Sequence, residues 1–185
     1  MDDAAPPLPD PSARLTAAFR EVAKRMQGLG FVNPALEVEA VGFAPWQGHW
    51  LGVMVTPWFM NLVLLPRDLD QWQPLPMGGK RKLRFPAGVY EFIGAADAAI
   101  GEHQTCSLFS PMHEFESHAA ARLVAQLARE ALFDGANAEA AEYPKAELAP
   151  ATHAKGRDDV GAGAAVSKRD FLRGHFSGGD HADRR

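Results

Sequence analysis

His103, Cys106 and His113 are the side chains through which this chain could most readily do covalent or metal chemistry. A thiol beside an imidazole is the pairing of a cysteine nucleophile and its base. The run 103–109 reads as a strand, however, and positions an odd number of residues apart point to opposite faces. Cys106 is therefore read as a buried structural thiol. His113 and His118 sit five apart, whereas a metalloprotease helix needs histidines four apart. At five residues the two side chains diverge by about 140° around a helix. Gly78-Gly79-Lys80-Arg81 has neither the earlier glycine nor the hydroxyl residue of a phosphate-binding loop. No Gly-x-Ser-x-Gly elbow occurs. One cysteine in 185 residues excludes an intrachain disulfide or a cysteine-ligated iron–sulfur cluster. The reading is of a protein with no catalytic residues, metal or cofactor. The rival reading is a small metal- or cysteine-dependent enzyme using His103, Cys106 and His113.

A second motif points to recognition. Ser167-Lys168-Arg169-Asp170-Phe171-Leu172-Arg173-Gly174 resembles a twin-arginine export signal, with Lys168 in place of the first arginine. Export signals precede an apolar run, yet the residues after Gly174 are polar. A signal-like peptide that cannot export its own chain suggests a protein that handles such signals. The acidic, proline-rich start has no basic region before an apolar run, so a cytoplasmic location is expected. A net charge of -4 gives no electrostatic case for wrapping nucleic acid. No run approaches the length of a membrane span.

Composition divides the chain into a disordered N-terminus (1–9), a domain (10–133), a disordered Ala/Gly/Pro/charged linker (134–166) and a tail (167–185). Within the domain, Asp10-Pro11 opens a helix whose apolar stripe is Leu15, Phe19, Val22 and Met26. Strand-like runs follow between Leu36 and Phe109, about five strands joined by connections too short for crossover helices. Ser110-Pro111 is read as the cap of a second helix with a stripe of Met112, Phe115, Ala119, Leu123, Leu127 and Ala131. The predicted fold is α+β: a mostly antiparallel sheet with both helices packed on one face.

Three blocks in this order carry a family resemblance: Val55-Thr56-Pro57-Trp58-Phe59-Met60-Asn61-Leu62, Pro86-Ala87-Gly88-Val89-Tyr90-Glu91-Phe92 and Cys106-Ser107-Leu108-Phe109-Ser110-Pro111-Met112. They resemble the HybE/HupJ/HoxT-type chaperones of [NiFe]-hydrogenase assembly, over roughly residues 12–133, with linker and tail outside the match. The resemblance implies a cytoplasmic chaperone that binds the twin-arginine signal of the hydrogenase small-subunit precursor. It would hold back export until the cofactors are inserted. The large subunit and other maturation proteins are further candidate partners; nucleic acid and stable membrane insertion are not expected.

A peptide-binding protein needs apolar side chains that re-pack, and thioethers and aromatic rings do so. The candidate peptide-binding residues are Trp58, Phe59, Met60, Asn61, Phe109, Met112 and Phe115. Glu114 and Glu116, expected in the first turns of the second helix, are candidate partners for the signal arginines, because carboxylates pair with the guanidinium fork. Ser167, Lys168, Arg169, Phe171 and Leu172 form the signal-like tail, a candidate self-ligand for the same site. The run Lys80-Arg81-Lys82-Leu83-Arg84 reads as a charged edge strand or as a contact for an acidic partner surface.

Overall fold

The computed structural model describes residues 6–137, which form a six-stranded sheet flanked by two helices. The elements are α1 (Ser12–Met26), β1 (Glu39–Trp46), β2 (His49–Val55), β3 (Met60–Pro66), β4 (Lys80–Phe85), β5 (Gly88–Asp97), β6 (Gly101–Phe109) and α2 (His118–Ala131). Every pairing is antiparallel, and the strand order is β1-β2-β3-β6-β5-β4. The antiparallel α+β expectation holds, with six strands rather than about five. The signal-like tail and most of the expected linker lie outside the described residues.

The central strands dictate the layering. Residues 51–55 and 62–65 are apolar at nearly every position, and Leu51, Val53, Met54, Leu62 and Leu64 are fully buried. A strand that is apolar on both faces needs cover on both. Leu51, Val53, Val55, Met60, Leu62 and Leu64 join one core with Ala121, Ala125 and Leu132 of α2. Met54, Val63 and Leu65 join a second core with Leu15, Phe19 and Ala23 of α1. Strand alternation makes these opposite faces. The expectation that both helices share one face is thus corrected: α1 covers one side and α2 the other.

The second helix is shorter than expected. Ser110-Pro111 does not open it; that peptide bond is cis, and Ser117 caps the helix by accepting from Ala120 N at 3.2 Å. The stripe shifts with the start. Ala121, Ala125, Ala128 and Leu132 are buried, whereas Leu123 is half exposed. Three small alanines let the helix backbone lie close to the bulky strands below. At the first helix, Asp10 Oδ1 accepts from Ser12 N at 2.8 Å, just ahead of the helical residues. Leu8 donates to Arg67 O at 2.7 Å and accepts from Trp50 Nε1 at 3.0 Å, so the segment from residue 6 is held against the sheet. At the other end the turn after α2 continues to Asn137, which is buried.

The connection 67–79 covers the α2 side of β5. A Cβ on Gly94 would fall 2.4 Å from Pro76 O and 2.7 Å from Leu75 Cβ, and Gly78 N donates to Gly94 O at 2.8 Å. Beneath this connection Arg81 donates to Gln73 and to buried Gln104 at 2.9 and 2.8 Å. His49 packs edge-on to Trp72, with centroids 5.4 Å apart. Burial, and then the Arg81 guanidinium, hold its imidazole below the usual histidine value of 6.5 against a weaker pull from Asp68.

Two outcomes follow for stability. Gly94→Ala should lower it by about 1–3 kcal/mol, since the opposing atom is backbone and must shift; urea denaturation followed by Trp fluorescence measures this. His49 is neutral in the fold, so its contribution is full above the unfolded value of 6.5. As pH falls below 6.5 the unfolded chain takes the proton first, and that contribution is lost until the folded imidazole also titrates. Urea midpoints across that range should fall for the wild type and fall less steeply for His49→Gln.

Candidate functional site

The three sequence blocks gather at one end of the sheet. The first forms the β2–β3 turn. Thr56, fully buried, donates its hydroxyl to Phe59 O at 3.0 Å and accepts from Phe59 N at 2.9 Å and Trp58 N at 3.3 Å. Thr56 N closes the turn onto Phe59 O at 2.9 Å. A hydroxyl with every hydrogen-bonding role used fixes the backbone that displays Trp58 and Phe59. The third block leaves β6 next to this turn, because Met60 pairs with Phe109, and Ser110 Oγ donates to Trp58 O at 3.5 Å. The second block is the β4–β5 turn, where Ala87 N donates to Leu132 O at 3.1 Å. β5 begins where β6 ends because the pair is antiparallel.

A segment without any marked motif binds these parts together. In the α1–β1 connection, Asn33 is buried and donates from Nδ2 to Met112 O at 3.0 Å and Phe115 O at 2.8 Å. Its backbone N–H donates to Pro57 O at 2.8 Å, and its Oδ1 accepts from Ala35 N at 3.0 Å. One side chain thus joins the 110–117 loop to the connection, and one backbone donor joins the connection to the β2–β3 turn. Between this connection and the C-terminal half of α1 runs a cleft of about 790 Å³, with Ala23, Val32, Leu36, Val38 and Pro57 among its lining residues. Beside it Leu29 and Phe31 are 46% and 47% exposed, which is a large exposure for such side chains. Arg20 and Lys24 line the α1 wall, and Glu37 the other.

The expected site residues divide by burial. Met60 and Met112 are 0% exposed, Phe109 6% and Phe115 7%. These four pack in the core, with Phe109 and Phe115 in edge contact at 5.2 Å. Trp58, Phe59 and Asn61 are half-buried. Phe59 packs edge-on to Phe19 of α1 at 5.5 Å and to Trp58 at 5.7 Å. Asn61 Oδ1 is buried with no hydrogen-bond partner. Glu114 and Glu116 are exposed, but in the loop before α2 rather than in its first turn. The two acids belong to the loop whose Met112 and Phe115 carbonyls are held by Asn33, itself a lining residue of the cleft.

The rival catalytic set does not assemble. Cys106 lies in the α2-side core, His103 is buried on the opposite face with Nδ1 2.9 Å from Gly101 O, and His113 is exposed in the 110–117 loop. Among the described residues no group of three or more His, Cys, Asp or Glu is placed to hold a metal. None of their helices is long and apolar enough to cross a membrane. His118 holds two elements together. Its Nδ1 accepts from Glu37 N at 3.2 Å, and its Nε2 meets Glu39 Oε2 at 2.8 Å. Arg122 Nε lies 3.3 Å from Glu39 Oε1, so the start of α2 is fastened to the start of β1.

Leu29 and Phe31 are site residues that sequence patterning does not single out. Their only signal is an apolar pair between Gly28, Gly30 and Pro34, outside any helical or strand periodicity. Asn33→Ala should cost about 1–3 kcal/mol, because carbonyls buried against it lose their donor. A red shift of Trp58 emission should accompany the change, with the far-ultraviolet circular dichroism retained.

Comparison with known proteins identifies the family and the fold. A family model described as "[NiFe]-hydrogenase assembly, chaperone, HybE" matches residues 10–174. That span exceeds the expected resemblance and takes in Ser167–Gly174. The chain is 39% identical over 161 residues to "Hydrogenase expression/formation protein HupJ" of Bradyrhizobium diazoefficiens, covering 86% of this chain and 85% of that protein. It is 41% identical over 124 residues to "Probable rubredoxin HupJ" of Rhodobacter capsulatus; the match covers 66% of this chain and 45% of that protein, less than half its length. It is 33% identical over 122 residues to "Hydrogenase-2 operon protein HybE" of Escherichia coli (strain K12), covering 64% and 75%. The fold is similar to the solution structure of HybE from Escherichia coli, with a TM-score of 0.58 and 22% identity over 88% of this chain and 98% of that one.

Proposed function

We propose, from the premise that this chain belongs to the HybE family of [NiFe]-hydrogenase assembly chaperones, that it binds the twin-arginine signal peptide of a hydrogenase small-subunit precursor in the cytoplasm. Binding holds the precursor back from export until its cofactors are in place. The observation that carries this reading is the exposed pair Leu29 and Phe31 beside a cleft whose lining residue Asn33 holds the loop that carries the exposed acids Glu114 and Glu116. A twin-arginine signal is a cationic pair followed by apolar residues, and this surface offers carboxylates next to apolar side chains. Trp58, Phe59 and Asn61, half-buried at the neighbouring turn, complete the contact. On the α1 wall Arg20 has the wrong sign for the signal arginines, and Lys24 is paired with Glu21 at 2.6 Å.

The energetics are unequal. An exposed ion pair contributes about 0–1 kcal/mol. Apolar burial at about 25 cal/mol per Å² contributes more. Leu29→Ser with Phe31→Ser should therefore weaken binding of an isolated signal peptide about tenfold or more. Glu114→Gln with Glu116→Gln should weaken it only about two- to fivefold, with the loss shrinking as salt rises. Titration calorimetry reads both, and unchanged affinity in the Leu29/Phe31 variant would remove the cleft as the site.

The tail, by composition, supplies a weak competitor for the same surface. Lys168 and Arg169 imitate the cationic pair, and Phe171 and Leu172 the apolar part. Lys168 has no planar fork, which suits a ligand that must give way to the client. Tethering raises its effective concentration without adding contacts. Deleting residues 160–185 should then tighten binding of the client signal peptide, and equal affinity with and without them would end the idea.

A further inference from the structure

The basic run on β4 is not accounted for by the cleft. Strand alternation splits it. Arg81 faces the α2 side and is held by Gln73 and Gln104. Lys80, Lys82 and Arg84 point to the α1 side, where they pair in register with Ile93, Glu91 and Val89 of β5. All six are exposed, Val89 at 42% and Ile93 at 40%. The core on that side is built by α1 over β1, β2 and β3 and stops there. The other half of the face, on β4 and β5, is open among the described residues. It carries three cations along about 14 Å of strand, one carboxylate, Glu91, which meets Lys80 at 2.9 Å, and two bare aliphatic side chains.

We propose that this open half-face docks an acidic, partly apolar polypeptide surface on the body of the client precursor, as a second contact separate from the cleft. The proposal rests on the chaperone reading above. A charged edge strand alone discourages sheet-to-sheet pairing, which accounts for cations on β4. It does not account for Val89 and Ile93 uncovered on the next strand in. A second copy of the chain would bring like charges face to face. Nucleic acid would need ring side chains to stack on, and none of these six residues is aromatic. Carboxylates for Lys82 and Arg84 with aliphatic groups between them are the matching chemistry. The cleft, next to the loop that carries Glu114 and Glu116, takes the cationic signal; this face, with its three cations, takes an acidic patch. A partner with both features satisfies two sites whose binding multiplies through effective concentration.

The test uses the full chain, the isolated signal peptide, and the small-subunit precursor with its signal removed. The variant Lys80→Glu/Lys82→Glu/Arg84→Glu changes only exposed side chains, and its thermal midpoint checks folding. The signal-free precursor should bind the wild type at low salt and bind the triple variant about tenfold more weakly, with a loss of similar size in the wild type at about 0.3 M salt. Affinity for the isolated signal peptide should stay within about twofold, because those charges are remote from the cleft. Equal binding of the signal-free precursor to both proteins, or no binding to the wild type, overturns the proposal. So does protection of Lys82 from acetylation in the isolated chain, which would assign the face to the chain's own acidic residues Glu139, Glu142 and Glu147. Failure of the isolated signal peptide to bind would refute the signal-binding reading and leave this face to be judged on the signal-free precursor alone.

Discussion

The end of the sheet where the three sequence blocks meet depends on the side chain of Asn33. It is buried, donates to two carbonyls of the 110–117 loop, accepts from Ala35, and sits in a segment whose backbone reaches Pro57. In a low-dielectric setting each such bond is strong, and each unmade bond is expensive. Three chain segments far apart in sequence are thereby held in one register: the exit from α1, the β2–β3 turn and the exit from β6. The cleft, the exposed Leu29 and Phe31, and the positions of Glu114 and Glu116 all follow from that junction.

Much of the scaffold is legible in the sequence because period-2 patterning and short connections have few solutions. Leu83, Phe85, Tyr90 and Phe92 alternate with Lys82, Arg84, Val89 and Glu91 just as an antiparallel pair with one buried face requires. The layering is harder to read, and the amphipathic helices alone point to the wrong answer. Residues 62–65 form a continuous apolar run, and such a run needs a helix on each side. The start of α2 is ambiguous because Ser-Pro and Ser-x-x-Ala both look like caps locally. The structure places the cap at Ser117, whose hydroxyl accepts from Ala120 N.

The site is legible in outline and not in detail. The three blocks do converge, but four of their large apolar residues go into the core. Thioethers and rings serve buried packing and peptide capture equally well, and sequence alone does not separate the two uses. Leu29 and Phe31, which remain at the surface, lie in a stretch with no periodicity to draw attention to them. Asn33 leaves no trace in the pattern at all, since its partners are two backbone carbonyls some eighty positions away.

α2 is fastened at both ends: His118 and Arg122 grip Glu39 at one margin of the sheet, and the carbonyl of Leu132 receives the amide of Ala87 beside the other. The helix is a braced beam laid across the strands. The strands that end in the β2–β3 turn therefore rest, on the side away from α1, against a support pinned at two margins.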